Sequence, residues 1–401
     1  MNPPIRFGTD GVRGHAGTWP INEAGARVIG RGIADWTAGG RVMVGRDTRE
    51  SGPALTSALI EGLVSGGATA IRMDVVPTAA VSAAVLADKR AAAGVMITAS
   101  HNPWADNGIK VVDERGEKLL DPTSLVACFG AQHTQGTGTV IDHPDPLGAW
   151  HAALPSVDLR GRRILLDGAH GAGAQAAREA LEAAGATLVC IGASPDGRNI
   201  NDGVGALHPP TELHDCEFAI CLDGDADRLL MVHPEHGVLD GDDLLWMLSR
   251  GMEGPVIGTV MTNGGLEAAL GERLTRTAVG DAKVWAEMLR SGSPLGGEPS
   301  GHIMLKGGMP TSDGMYTALR ILEIAEGGPL PVGGWQRWPQ TLRNVPNATV
   351  SHDLPAIEEA ERAGCRVLVR ASGTEPLVRV MVEGNESEMW ADRIATSLPR
   401  S

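Results

Sequence analysis

Aromatic side chains are scarce: one tyrosine, three phenylalanines and nine tryptophans stand among 401 residues. The interior must therefore be built from aliphatic side chains with a few large indoles. Cysteine is equally sparse, five in all. Cys216 and Cys221 flank a strand-like "EFAI", but no second pair stands at zinc-site spacing, so the cysteines read as reduced core thiols. No uninterrupted apolar run is long enough to cross a bilayer, and the start "MNPPIRFGTDG" lacks the apolar centre of a signal peptide. Together these predict a cytoplasmic protein with no membrane partner. A long basic run is also missing, and the formal net charge is −15, which excludes general attraction to nucleic acid or to an anionic surface. An anionic ligand must instead meet locally concentrated cations.

What is present is enough apolar material, 42% of the chain, for several cores and roughly three domains or more. Short apolar strands alternate with Ala/Leu-rich helical stretches. "RVMVGRDTR", "AIRMDVVPT" and "AAAGVMITASHN" end in polar loops, while residues 52–66 and 79–88 are helix-compatible. A second α/β unit follows "DHPDPLG": "RRILLDGAH", a helix from Ala174 to Ala184, "ATLVCIG" and "FAICLDGDADR". A third holds "GPVIGTVMTN", a helix near Gly265 to Arg273, and "LGGEPSGHIML". After the connector "GGPLPVGGWQRWPQ", the strands "RVLVR" and "LVRVMVE" read as α+β. Open α/β sheets bind ligands beyond the carboxyl ends of their strands, which makes the loops 100–110, 223–228 and 297–302 candidate partners in one site.

Taken singly, each loop has more than one reading. Ser100 is a candidate nucleophile assisted by His101 or Lys110, yet Ser100 and Asn102 also suit a plain turn before Pro103. In "DGDADR" the carboxylates of Asp223, Asp225 and Asp227 can converge on one hard cation, magnesium or calcium, with Arg228 directed at phosphate. The same string fits a solvated acidic turn or a phosphatase with a single Asp nucleophile. "RASGTEPLVR" sets Arg370 and Arg379 around Ser372, Gly373 and Thr374, a cradle for a phosphate or else a strand–turn–strand with solvated arginines. "GEPSGH" offers Glu298, Ser300 and His302 to sugar hydroxyls, or forms a polar turn.

In this order, "RFGTDGVRG", "GRDTRESG", "TASHNPWADNGIKV", "GRNINDGVGA", "DGDADR", "GGEPSGHIML", "TSDGMYTALRIL" and "RASGTEPLVRVMVEG" resemble the α-D-phosphohexomutase family, and within it the branch that handles glucosamine phosphates. The motifs span nearly the whole chain. The resemblance implies an α/β protein of four domains around a central cleft, three of them related α/β domains and the last a smaller α+β domain, with boundaries at 1–142, 143–241, 242–338 and 339–401. By the same resemblance Ser100 is the phosphoserine and a fourth metal ligand beside Asp223, Asp225 and Asp227, which hold one Mg2+. Glu298 and Ser300 contact sugar hydroxyls; Arg370, Ser372, Gly373, Thr374 and Arg379 hold the phosphate that is not transferred. His101, Lys110 and Arg228 match active-site positions, Arg13 is a further substrate contact, and Lys110 and His302 are candidates for proton transfer.

The implied reaction moves a phosphoryl group from Ser100 to glucosamine 6-phosphate and returns the other phosphate to Ser100, by way of a glucosamine 1,6-bisphosphate. Glucosamine or glucose 1,6-bisphosphate is the implied activator, and UDP-N-acetylglucosamine and cell-wall precursor synthesis the implied destination. The implied partner is a small hexosamine phosphate, with a homodimer left open. Several departures bear on sugar preference: Pro299, Ala226 in place of a common glycine, and "VGDAKV" without the usual arginine. The stretch from Gly205 to Asp215 is short and predicts a trimmed helix in the second domain with the metal loop intact. A phosphomannomutase or phosphoglucomutase with the same mechanism is the alternative. Gly171, Gly173 and Ala176 also fit a dinucleotide fingerprint, but "LVCIGAS" lacks the acidic residue that ribose recognition requires. A non-catalytic sugar-phosphate sensor fits poorly with the presence of both Ser100 and the three aspartates.

Overall fold

A computed structural model describes residues 3–8, 10–130, 136–371 and 377–400. Within them the strands form four sheets. The first holds β1 (Val12–His15), β2 (Arg41–Arg46), β3 (Thr69–Val75), β4 (Ala91–Ile97), β5 (Asp106–Val112) and β6 (Thr139–Asp142), in the order β1-β5-β4-β2-β3-β6. The second holds β7 (Arg163–Asp167), β8 (Thr187–Ile191), β9 (Phe218–Leu222), β10 (Leu229–His233) and β11 (Gly237–Leu239), in the order β11-β10-β9-β7-β8. The third holds β12 (Val256–Thr259), β13 (Leu274–Thr277), β14 (Leu295–Gly297) and β15 (Ile303–Leu305), in the order β13-β12-β14-β15. All three share one plan: a parallel centre whose last strand turns back through an antiparallel hairpin, β4–β5, β9–β10 or β14–β15. The architecture is α/β, as the alternation of strands and helices predicts.

The reason for the plan lies in the strands. "AAAGVMI" and "FAICL" are continuous apolar runs without alternation, as strands covered on both faces require, and all five residues of β9 are buried. Helices cover the first sheet, and two of them touch through glycine: a Cβ at Gly30 would lie 2.1 Å from the Leu59 carbonyl oxygen, and one at Gly62 would lie 2.3 Å from that of Arg27. Only glycine allows the helices Glu23–Trp36 and Gly52–Ser65 to meet at this distance. The expected helices are present as Gly52–Ser65, Thr78–Ala87 and Gly173–Ala183, each shifted by about one residue, which is within ordinary variation of helix ends. The shortened stretch after Asn201 carries a single helical turn, Gly205–Leu207. All five cysteines are free.

By its contacts the chain divides into two compact units: Met1–Met261 with Arg273–Val332, and Thr262–Glu272 with Gly333–Ser401. The second unit contains the sheet of β16 (Gln340–Pro346), β17 (Arg366–Ala371) and β18 (Leu377–Glu383), ordered β16-β18-β17 and wholly antiparallel. Its buried Glu383 accepts the Gly264 N–H at 3.0 Å, the Arg366 Nε–H at 2.9 Å and a Gln340 Nε2–H at 3.0 Å. That shared carboxylate ties the helix Gly264–Leu270 to the sheet.

In the first unit, Trp150 is among the largest fully buried side chains, in the short helix Gly148–Ala153. Its indole N–H donates to Asp313 Oδ2 at 2.7 Å. Asp313 also caps the helix Gly314–Ile324 by accepting from the Tyr316 N–H, and Gly314 N–H in turn bonds the Ala226 carbonyl at 3.0 Å. Burial pushes the Asp313 carboxyl up to about 6 against the pull of these donors. A raised carboxyl stabilises the fold fully below its unfolded pKa near 4, and the contribution disappears as pH rises through about 6. The stability of the wild type minus that of Asp313→Asn should accordingly fall by on the order of 2–3 kcal/mol between pH 4 and pH 7, measured by chemical unfolding. A difference independent of pH would mean that Asp313 titrates as an ordinary surface aspartate.

Candidate active site

Each of the three hairpins in the first unit delivers polar residues at its turn. Between β4 and β5, Ser100 adopts a left-handed backbone with φ of 54°, a conformation that costs a non-glycine residue energy and persists only where its surroundings hold it. Its N–H donates to Thr98 Oγ1 at 2.8 Å. Its hydroxyl is fully buried and donates to Asp223 Oδ2 at 2.6 Å, with the half-buried His101 ring nitrogen 3.4 Å away.

Between β9 and β10 stand Asp223, Asp225 and Asp227, all essentially without solvent exposure, with one carboxylate oxygen of each within 4.8 Å of the others. Lys110 Nζ, on β5, donates to Asp225 Oδ2 at 2.7 Å and Asp227 Oδ2 at 2.9 Å, and Thr78 Oγ1 donates to Asp225 Oδ2 at 2.7 Å. Burial and the repulsion of Asp227 and Asp225 push Asp223 up to about 7. Burial also opposes the charge on Asp227, but Lys110 and His302 outweigh it and hold that carboxyl well below its usual range. Lys110 is raised in turn: desolvation is overcome by Asp225, Asp227 and Asp10. Asp225 Oδ1 is buried with no hydrogen-bond partner among the described residues. Crowded carboxylates, oxygen-only donors and one orphaned carboxylate oxygen fit a hard divalent cation.

Between β14 and β15, His302 Nε2 lies 3.1 Å from Asp227 Oδ1. Arg228 Nε lies 3.3 Å from the same ring nitrogen. Desolvation works against the imidazolium, but Asp227 prevails and raises His302 to about 9, so the ring donates to Asp227. Lys110 and His302, the two expected proton-transfer groups, are thus both biased towards their protonated forms. Glu298 Oε2 is 3.5 Å from His302 Nδ1, and Glu298 Oε1 accepts the Gly280 N–H at 2.9 Å. Ser300 is exposed, its hydroxyl 3.2 Å from His302 Nδ1. From β1, Arg13 pairs with Asp10. Three sheets thus bring Arg13, Ser100, His101, Lys110, Asp223, Asp225, Asp227, Arg228, Glu298 and His302 into one connected cluster.

In the second unit, Arg370 on β17 and Arg379 on β18 are direct cross-strand partners, both half-buried. Ser372, Gly373 and Thr374 lie outside the described residues. Gly171 and Gly173 serve a purpose other than a dinucleotide: a Cβ at Gly171 would lie 2.4 Å from the Gly224 carbonyl oxygen, and one at Gly173 would lie 2.5 Å from the Ala226 side chain. The strand–helix turn is packed directly against the aspartate loop.

Sequence reasoning gave no role to several residues of this network. Lys118 joins Asp10 and Asp281, and Thr78 supports Asp225. Asp10 and Asp281 lie within "RFGTDGVRG" and "VGDAKV" and Thr78 closes "AIRMDVVPT", whereas Lys118 lies outside these stretches; only the meeting of separate elements reveals the contacts they make.

Residues 4–127 match the alpha/beta/alpha domain I of the Phosphoglucomutase/phosphomannomutase family, residues 240–333 its alpha/beta/alpha domain III, and residues 342–399 its C-terminal domain. The chain is similar to phosphoglucosamine mutases from Symbiobacterium thermophilum, at 38% identity, and Bordetella petrii, at 39%, each over 98% of both chains. The one from Halorhodospira halophila is 40% identical over 97% of this chain and 94% of its own. Among solved structures, a phosphoglucomutase/phosphomannomutase family protein from Burkholderia thailandensis superposes with a TM-score of 0.79 at 25% identity over 97% of both chains. An N-acetylglucosamine-phosphate mutase of the alpha-D-phosphohexomutase superfamily shares the fold, with a TM-score of 0.65 at 17% identity over 98% of this chain and 96% of its own. With motifs, sheets and near full-length relatives in agreement, the chain belongs to the phosphoglucomutase/phosphomannomutase family, the α-D-phosphohexomutases, enzymes of the isomerase class.

Proposed function

We propose that the protein is a phosphoglucosamine mutase that interconverts glucosamine 6-phosphate and glucosamine 1-phosphate through a phosphoserine at Ser100, supplying UDP-N-acetylglucosamine and cell-wall precursor synthesis in the cytoplasm. The observation that carries the mechanism is the buried Ser100 hydroxyl 2.6 Å from Asp223, beside two further buried carboxylates. The sugar rests on the relatives named phosphoglucosamine mutase, which match nearly end to end. No helix among the described residues is long and apolar enough to cross a membrane.

Ser100, Asp223, Asp225 and Asp227 would hold one Mg2+, which when bound supplies positive charge to the transferring phosphoryl group. The protein residues do the rest. Glu298 and Ser300 orient the sugar by its hydroxyls. The P–Oγ bond of phosphorylated Ser100 breaks as the sugar oxygen bonds to phosphorus, giving a 1,6-bisphosphate, and the reverse step at the other end returns a phosphoryl group to Oγ. Protonated Lys110 and His302 stabilise the charge that develops and relay the proton: one gives its proton to the departing oxygen and is restored by the proton that the attacking hydroxyl releases, while Arg13 and Arg228 add positive charge and neutral His101 lines the approach. A hexose 1,6-bisphosphate charges Ser100 initially. Arg370 and Arg379, register partners on β17 and β18, with Ser372, Gly373 and Thr374, would cradle the phosphate that is not transferred, because guanidinium groups bind phosphate through paired N–H donors.

A coupled assay with glucosamine, glucose and mannose 6-phosphates tests the assignment. Glucosamine 6-phosphate should have the highest kcat/KM, by about tenfold to two-hundredfold, since exchanging one hydroxyl for an amine preserves most of the sugar's shape. Ser100→Ala should fold and show no turnover with any of the three. A tenfold preference for glucose or mannose would move the protein to the phosphoglucomutase or phosphomannomutase reading. Metal affinity has its own signature. Because Asp223 takes up a proton near pH 7, and that proton competes with the cation, Mg2+ should bind about tenfold more weakly for each pH unit below about 7. Calorimetric titrations at pH 8 and pH 6 that gave one Kd would refute the shared use of this carboxylate.

A further inference from the structure

The loop carrying Ser100 is suspended by two side chains that take no part in the steps above. Arg49, in the loop after β2, is wholly buried and spends every N–H locally. Its Nε donates to Asp47 Oδ2 at 2.8 Å, and Nη1 donates to the carbonyls of Pro103 and, at 2.9 Å, Asp106. Nη2 donates at 2.8 Å to the carbonyl of Ser100 and at 2.8 Å to that of Asn102. From the other side comes Asn201, 6% exposed, in the loop between β8 and β9. Its Nδ2 donates to the Ser100 carbonyl at 3.0 Å and lies 3.4 Å from that of Asn102. The amide orientation follows from these partners, because the flipped form would set Oδ1 against two carbonyl oxygens. Asn201 is itself anchored, its backbone N–H donating to the Ala169 carbonyl at 2.8 Å.

The two supports differ in what they connect. Arg49 belongs to the same sheet as the serine loop, whereas Asn201 belongs to the sheet whose β9–β10 hairpin bears the three aspartates. In the free hydroxyl form, Ser100 has a second tie to that sheet, its O–H on Asp223. Phosphorylation removes this hydrogen and replaces it with a group of roughly −1.5 to −2 charge, so an attraction to Asp223 becomes a repulsion. The Asn201 amide bond to the Ser100 carbonyl needs neither the hydroxyl hydrogen nor a metal ion.

We propose that Asn201 is a positioning residue for phosphoryl transfer: together with Arg49 it fixes the Ser100 carbonyl, and so keeps Oγ in register with the aspartates while the serine is phosphorylated. The proposal rests on the phosphoserine reading of Ser100. An exposed clasp between the same two sheets offers an internal control. Arg198 donates to both carboxylate oxygens of Glu50, at 3.0 and 2.8 Å, and lies 5.1 Å over the Trp104 ring, without contacting the Ser100 carbonyl.

Asn201 has φ of 60°, so Asn201→Asp and Asn201→Gly both suit its backbone, and both lack the Nδ2 donor. Each variant, the wild type and Arg198→Ala are charged with glucose 1,6-bisphosphate. Ser100 phosphate is measured by mass spectrometry, kcat and KM with glucosamine 6-phosphate, and Tm by calorimetry. Both Asn201 variants should keep Ser100 phosphorylated and KM within about twofold while kcat falls about ten- to hundredfold, the effect of displacing a reacting group by a fraction of an ångström to an ångström. Arg198→Ala should keep kcat within about twofold. Unchanged kcat in both Asn201 variants with a lowered Tm overturns the proposal, leaving Asn201 a structural residue. An equal loss in Arg198→Ala overturns it too, because general loosening would then suffice. Wild-type turnover without phosphate on Ser100 would instead defeat the phosphoserine reading itself, and the mass spectrum tells the two failures apart.

Discussion

Three carboxylates buried within one small volume are the constraint around which the first unit is organised. Left alone they would repel one another and shed charge by taking up protons. The protein answers with Lys110 across Asp225 and Asp227, with His302 and Arg228 beside Asp227 and Asp223, and with hydroxyls from Ser100 and Thr78. Their opposite pKa displacements, Asp223 upward and Asp227 downward, follow from which neighbour each carboxylate faces. A cluster held in this way is compatible with a metal ion, whose positive charge would relieve the remaining repulsion.

The fold meets the geometric side of this requirement by repetition. Each of the three α/β sheets ends its parallel centre in an antiparallel hairpin, and the three equivalent turns carry the serine, the aspartates and the Glu298–His302 segment. The close approach of these loops depends on missing side chains. Gly171 leaves room for the Gly224 carbonyl, and Gly314 leaves room for the Arg228 carbonyl, which a Cβ would meet at 2.6 Å. The same glycines that resemble a nucleotide fingerprint are used here to seat the aspartate loop.

Much of this arrangement is legible in the sequence for local reasons. β4 and β9 are unbroken apolar runs ending in polar residues, so both the strand and the position of the functional loop can be read from a few consecutive residues. The aspartates announce themselves by alternation. Arg49, Asn201, Thr78 and Lys118 do not, since each acts on a partner far along the chain, and the value of a buried guanidinium or amide depends on which carbonyls another sheet brings to it. Asp10 and Asp281 were visible within motifs, but their pairing through Lys118 was not. The protonated state of Lys110 and His302 was likewise beyond sequence, because it arises from the carboxylates packed against them.

The proposed reaction depends above all on Ser100 as the carrier of the phosphoryl group. A single turnover of the phosphorylated enzyme with glucosamine 6-phosphate bearing 18O in its phosphate follows that group directly. If Ser100 donates one phosphoryl group and recovers the other, the labelled phosphate should be found on Ser100 and the glucosamine 1-phosphate released should be unlabelled. Labelled product with unlabelled Ser100 would contradict it, since the phosphate would then have moved within the sugar without passing through the protein.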